Sequence, residues 1–387
     1  MKSALKGKVI LADGILEGGV IVLDGERIAA VYRAGEARLP DGVETFDYGD
    51  CYIAPGLIDL HVHGALGRDV LDCTVDSIRE IAAHQARTGV TGFVPTVSAA
   101  PLSRTLEAVA VLKAAQIEKL AAEVLGVYLE GPFLSQAKKG AQDAEFLRAA
   151  DEKDLDILLQ ASQGMRTIIT IAPEVGDNLR FIRELRERGV VVSIGHSDAD
   201  YELASQSFEL GITHATHLFN AMSGFHPRQP GVIGAVLEEN NVTAELIADG
   251  IHVHSASLRL AVRLKGPERI CLVTDSMKAT GLGDGEYRVG KLDVVVKKGQ
   301  ARLKESGALA GSVLTLNRAV KNIVNWTGVS ISQAVAMASL NPARILGLGE
   351  VVGSIAAGKA ANLAVFDREF NVIDTLLGGI SLHGKMA

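Results

Sequence analysis

Eight short apolar runs recur through the middle of this chain: Gly56–His63, Val90–Val97, Val124–Glu130, Arg166–Ala172, Val190–His196, Ile212–His217, Thr243–Asp249 and Arg269–Asp275. Between them lie longer stretches with helical periodicity, among them Val75–Thr88, Leu102–Ala122, Asn178–Arg188, Ala199–Leu210 and Ser255–Lys265. Strand and helix alternating eight times predict a parallel (β/α)8 barrel of the TIM type. An open, doubly wound sheet would also alternate. Polar residues at the end of nearly every run favour closure, because barrel enzymes assemble their sites from the C-terminal ends of several strands.

A barrel takes roughly 250 residues, and this chain has 387. The surplus sits at the two ends. Residues 7–53 and 351–381 are short β-like pieces broken by turns, neither with enough apolar surface for a core of its own. Paired, they predict one small β-sandwich flanking the barrel. The expected division is 1–54 plus 347–387 for the small domain and 55–346 for the catalytic barrel.

The strand ends carry the chemistry. The first run closes on Asp59-Leu60-His61-Val62-His63, and alternate residues of a strand face one way, so His61 and His63 both point into the barrel mouth. The third closes on Glu130, the fifth on His196, the sixth on His217 and the eighth on Asp275. A lone histidine at a strand end is more often a hydrogen-bonded structural residue than a ligand. Independent placement at five strand ends points instead to a divalent metal. Imidazole with carboxylate suits Zn²⁺ best, with Fe²⁺, Mn²⁺ or Co²⁺ as competitors. Asp275 is either a further ligand or, better, a proton shuttle beside an activated water.

A second constellation follows the sixth run. Arg228 is the cation to aim at an anionic substrate group, because guanidinium grips phosphate in a bidentate way. The backbone N–H groups around Asn220 and Ala221 add donors. His252, just past the seventh run, is expected to be functional. His84 and His383 are expected to be structural or solvated, and His214 to pack between barrel and helices. His226 and His254, in loops near the rim, are left open between the two readings.

Composition removes other classes. Net charge is −7 with no run of Lys or Arg, so there is no footprint for nucleic acid. No window approaches about 18 uninterrupted apolar residues, and the opening MKSALKGKVILADG lacks the pattern of a signal peptide. Cys51, Cys73 and Cys271 are odd in number and far apart, which reads as reduced thiols in a cytoplasmic protein.

The stretches PGLIDLHVHG, GVYLEGPFLSQAKKGAQ, IGHSDA, ATHLFNAMS with HPRQPG, ADGIHV, LVTDSM and LAGSVLTL run in order across nearly the whole chain. In them the chain resembles the N-acetylglucosamine-6-phosphate deacetylases of the amidohydrolase superfamily. The resemblance implies metal-dependent deacetylation of an N-acetylated hexosamine 6-phosphate. It implies that Glu130, His196 and His217 are the main metal ligands, and that His61 and His63 provide for a second ion. Asp275 then matches the catalytic acid/base. Asn220, Ala221, Arg228 and His252 match positions that hold the sugar phosphate, and Ala141 and Leu309-Ala310-Gly311 match further substrate contacts. The resemblance also implies a homodimer. One position departs: members commonly have His after Lys-Gly-Ala, where this chain has Gln142, an uncharged amide expected to contact the substrate at its acetyl carbonyl or a sugar hydroxyl. That keeps open the galactosamine epimer of the substrate. A non-catalytic metal-binding paralogue is the reading from another class.

Overall fold

The computed structural model describes residues 2–37, 39 and 42–382; His383 lies outside them. The chain opens with four strands, β1 (Lys2–Leu11), β2 (Gly14–Asp24), β3 (Arg27–Tyr32) and β4 (Glu44–Pro55). Eight barrel strands follow: β5 (Leu57–Val62), β6 (Val90–Ser98), β7 (Val127–Glu130), β8 (Thr167–Ile171), β9 (Val191–Ile194), β10 (His214–Ala215), β11 (Thr243–Leu246) and β12 (Ile270–Leu272). They pair in sequence order, every neighbour parallel.

The ring closes through side chains as much as through a ladder. A parallel bridge joins Val62 to Ser276, and the Asp275 N–H donates to the His61 carbonyl at 2.9 Å. Beneath it, the wholly buried Asp59 accepts from the Thr274 hydroxyl at 2.6 Å and from the Thr274 N–H at 3.2 Å. Burial pushes the Asp59 carboxyl up to about 7, against the pull of these donors. The lumen is packed rather than open, as expected of a closed barrel. Tyr128 sits in it with its hydroxyl 2.7 Å from that of Thr216, which also meets Thr170 and Ser193.

Helices α1 (Val75–Arg87), α2 (Leu102–Gln116), α3 (Glu152–Ala161), α4 (Asn178–Glu187), α5 (Tyr201–Leu210), α6 (Gly231–Glu238) and α7 (Ser255–Lys265) fill the connections. Several start where a short polar side chain caps the first turn: Thr74 accepts from the Ser77 N–H, Asp151 from Asp154 and Asp200 from Leu203. His254 does the same for α7, accepting from the Ala256 N–H at 3.2 Å. That assigns it a capping place.

After β12 comes a hairpin sheet absent from the sequence expectation: β13 (Gly285–Val289), β14 (Leu292–Lys297) and β15 (Gln300–Leu303). Its signal was present in the alternation of EYRVGKLDVVVKKGQARL with turn glycines. Then α8 (Leu316–Thr327), α9 (Ile331–Met337) and α10 (Leu340–Ile345) lead to β16 (Leu363–Phe366), β17 (Val372–Leu377) and β18 (Ile380–Ser381). The two chain ends meet in one separate seven-stranded sheet, ordered β18-β17-β16-β4-β1-β2-β3. It carries its own buried cluster, including Leu5, Ile21, Ile53, Leu363 and Leu376. It docks on the barrel through Phe366 and Phe370 and through the Thr375 hydroxyl, which donates to the Ala86 carbonyl at 2.8 Å.

Candidate metal centre

Three of the candidate residues share an unusual backbone. His196, His217 and Asp275 have φ of 47°, 30° and 49°, in the left-handed region that costs a non-glycine residue of order 1–3 kcal/mol. Each stands just past a strand end, where the chain turns back and swings the side chain over the barrel mouth. Glycine would relieve the strain and lose the ligand. The strain therefore marks positions where the side chain matters more than local stability.

Six side chains converge there. His61, His63 and Asp275 form one group and Glu130, His196 and His217 another, the donor atoms within each lying within 4.8 Å of one another. Glu130 spans the two, with Oε1 2.9 Å from His217 Nε2 and 3.2 Å from His196 Nε2, and Oε2 3.2 Å from His63 Nε2. Asp275 Oδ1 is 3.3 Å from His63 Nε2 and 3.5 Å from His61 Nε2.

Three of the four outward ring nitrogens are held. His61 Nδ1 donates to Glu245 at 3.0 Å and His196 Nδ1 to the Lys138 carbonyl at 2.8 Å, while His63 Nδ1 meets Ser98 Oγ at 3.0 Å. The loop over His196 must pass close: a Cβ on Gly140, whose φ is +56°, would sit 3.2 Å from the ring. With Nδ1 protonated on His61 and His196, their Nε2 atoms present bare lone pairs. Those lone pairs face other ring nitrogens, at 3.2 Å for His61–His63 and 3.1 Å for His196–His217. A cation satisfies such an arrangement, and the residues present fit one.

The electrostatics agree. Burial alone would push His61 down, yet Glu130, Glu245 and Asp275 hold it well above its ordinary value. Burial works likewise against His63, which Asp275 and Glu130 nonetheless hold up to about 9. Glu130 moves the opposite way: burial would raise it, but the surrounding histidines hold it well below the carboxylate range. Carboxylates and imidazoles thus draw positive charge into a buried place, which is what a divalent metal supplies on displacing the protons.

Above the cluster opens a cavity of about 530 Å³. Glu130, His63, His196, His217 and Asp275 line its floor; Ala141, Gln142, Asn220, Ala221, His252 and Leu309-Ala310-Gly311 line its walls, with the β13–β15 hairpin overhead. His252 is fixed by Asp249, whose Oδ2 is 2.7 Å from Nδ1. His61 lies beneath the lining, wholly buried.

Other expectations fare differently. Arg228 is exposed at the tip of the loop between β10 and α6 and does not line the cavity, and the ring of His226, also exposed, accepts from the Arg228 N–H at 3.3 Å. His84 is buried within α1, a structural place. His214 needs correction. Its ring does not pack between barrel and helices but points into the lumen, Nε2 3.1 Å from Glu245 Oε1. Gln142 lines the cavity and is tied to its floor: Nε2 donates to Glu130 Oε2 at 2.7 Å and Oε1 accepts from the Ala99 N–H at 2.8 Å. Glu245 itself went unnoticed in the sequence. A glutamate inside the apolar run VTAELIAD was the available signal, since barrel strands buried on both faces are otherwise nearly continuous in apolar residues.

The amidohydrolase family model matches residues 52–381. An N-acetylglucosamine-6-phosphate deacetylase of Vibrio furnissii is 40% identical, the match covering 93% of this chain and 89% of the relative. An N-acetylgalactosamine-6-phosphate deacetylase of Escherichia coli O157:H7 is also 40% identical, over 83% of this chain and 85% of its own. Among solved structures, an N-acetyl-D-glucosamine-6-phosphate deacetylase mutant from Mycobacterium smegmatis, in complex with N-acetyl-D-glucosamine-6-phosphate, aligns with a TM-score of 0.93 at 33% identity. That alignment covers 98% of this chain and 99% of the other.

Proposed function

This chain belongs to the amidohydrolase family, and from that membership we infer that it hydrolyses N-acetyl-D-glucosamine 6-phosphate to D-glucosamine 6-phosphate and acetate. The observation that carries the reading is the convergence of six ligand-competent side chains at one cavity, five lining its floor and His61 just beneath. The galactosamine epimer is not favoured, because the gluco-named relative and the gluco complex cover more of the chain. Gln142 lines the cavity with one amide N–H donated to Glu130 and its oxygen accepting from the Ala99 N–H, which ties it to the cavity floor.

Glu130, His196 and His217 would hold one metal ion, and His61, His63 and Asp275 a second. A bound divalent metal supplies Lewis acidity and a water made acidic enough to attack at neutral pH. Zn²⁺ suits the imidazole and carboxylate set best. Asp275, at the mouth and in reach of both groups, takes the proton from the attacking water and returns it to the departing amine. The acetyl group lies over the floor. His252, with the Asn220 and Ala221 backbone, holds the phosphate at the far wall, and Ala141 and the Leu309–Gly311 stretch flank the sugar. This remote grip orients the amide against Asp275. Arg228 stands outside the lining of the cavity above the cluster, so it serves in a homodimer, contributing to the neighbouring subunit's phosphate site. Among the described residues no helix is long and apolar enough to cross a membrane; we place the enzyme in the cytoplasm. Residues 1–54 with 347–387 form the accessory unit and 55–346 the catalytic one.

Acetate release from N-acetylglucosamine 6-phosphate, its galacto epimer and unphosphorylated N-acetylglucosamine tests this directly. Fast release from the first alone is expected. Preference for the second would move the epimer, and silence with both phosphosugars in metal-loaded protein would overturn the assignment.

A further inference from the structure

Glu245 stands in the middle of β11, wholly buried, and the deacetylation chemistry makes no use of it. Its carboxylate is nonetheless fully engaged. Oε2 accepts from His61 Nδ1 at 3.0 Å and from the His217 backbone N–H at 3.0 Å, and Oε1 lies 3.1 Å from His214 Nε2. His214, equally buried, is anchored in turn by Thr243 Oγ1, 2.7 Å from Nδ1. The chain thus runs from Thr243 through His214 and Glu245 to His61, all within the barrel lumen.

Through the ring of His61 this arrangement bears on one ligand group; in the other it reaches, among the described residues, the His217 backbone N–H alone. Because the carboxylate only accepts, the proton it shares with His61 sits on Nδ1, which leaves Nε2, 3.2 Å from His63 Nε2 and 3.5 Å from both Asp275 Oδ1 and Glu130 Oε1, as the atom a metal would take. In the other group His196 leans on a neutral carbonyl, and His217 Nδ1 has no hydrogen-bond partner among the described residues. A full buried carboxylate therefore stands behind a ring ligand only in the His61–His63–Asp275 group. Carboxylates in that place fix the ring's tautomer and orientation and make the imidazole a stronger donor.

We propose that Glu245, braced by His214, is the positioning residue that loads the His61–His63–Asp275 metal position, and so determines that this enzyme holds two ions rather than one. The inference rests on the metal-dependent reading above. It predicts that the two positions respond differently to the same substitution.

The test is metal content by mass spectrometry and Zn²⁺ competition against a chromophoric chelator, on full-length native chain, Glu245→Gln and His214→Gln. The native chain should keep two ions after dialysis. Glu245→Gln should keep one, its second ion weakened about 10- to 100-fold and the first held with native affinity. His214→Gln, which leaves the carboxylate in place, should weaken the second ion in the same direction by less, and carries the test should Glu245→Gln fail to fold. In the metal-free native protein, long-range ¹H–¹⁵N correlation should find His61 protonated at Nδ1. Two ions at native affinity in Glu245→Gln, or equal weakening of both ions, would overturn the proposal. A native chain holding a single ion would overturn it while leaving the deacetylase reading intact; a native chain holding none would overturn both.

Discussion

On the floor of the cavity the outward ring nitrogens of His61, His63 and His196 are gripped by Glu245, Ser98 and the Lys138 carbonyl, and Gln142 ties Glu130 to the Ala99 backbone. At the rim, Phe225 and Arg228 stand in solvent on a loop whose internal support is a turn between His226 and Gln229. The floor is preorganised and the rim is not. Groups that meet developing charge in a transition state gain by being fixed beforehand, since no reorganisation is then charged against the reaction. A group that only grips a remote phosphate binds ground state and transition state alike, and can be supplied by a loop or by a neighbouring subunit. Damage to the floor should therefore appear in kcat and metal content, and damage to the rim in KM.

The comparison can be broken at four points. Stripping the metal with a chelator should abolish acetate release, and added Zn²⁺ should restore it; unfolding followed by calorimetry should show a lower Tm for the stripped protein, because ligand binding to the native state stabilises it. Turnover that survives verified metal removal would end the argument. Asp275→Asn keeps an oxygen at the mouth but cannot shuttle a proton, so kcat should fall about 10²- to 10⁴-fold while the ion on Glu130, His196 and His217 is held at native affinity. Near-normal turnover in that variant would remove Asp275 from its role.

Gln142→Ala sharpens the floor's side of the contrast. It removes one of the partners of Glu130 Oε2 and leaves the buried Ala99 N–H unpaired, and should loosen metal about 10-fold, read by chelator competition, with KM little changed. A raised KM at native metal affinity would show that the amide serves the sugar instead. Arg228→Ala, at the rim, should raise KM for the phosphosugar about 10-fold and leave kcat within about twofold. A collapse of kcat there would erase the distinction between the two regions.

Much of this was legible along the chain. His61 and His63 two apart on a strand must share a face, and Glu130, His196, His217 and Asp275 each close an apolar run, so the ligand set follows from periodicity 2 and the rule that barrel sites form at C-terminal strand ends. The second layer was not. His214 and His217 are an odd number apart, so simple alternation puts them on opposite faces, yet both turn inward because the chain leaves strand geometry at His217, where φ is 30°. Gln142 read as a sugar contact because its loop position was visible and its partners, Glu130 and Ala99, were not. Arg228 read as a phosphate ligand from its chemistry alone, and its exposure emerged only in three dimensions.

What the sequence by itself determined is the repeating unit, the strand ends and the identity of the groups placed there, all matters of local pattern and short-range geometry. Closure of the ring through Asp59 and Thr274, the join of the two chain ends in one sheet, and the line from Thr243 through His214 and Glu245 to His61 were decided by the tertiary structure. Each of those contacts bridges residues far apart in the chain. Which buried donor meets which acceptor then depends on how the strands close around the lumen, and no local pattern records that.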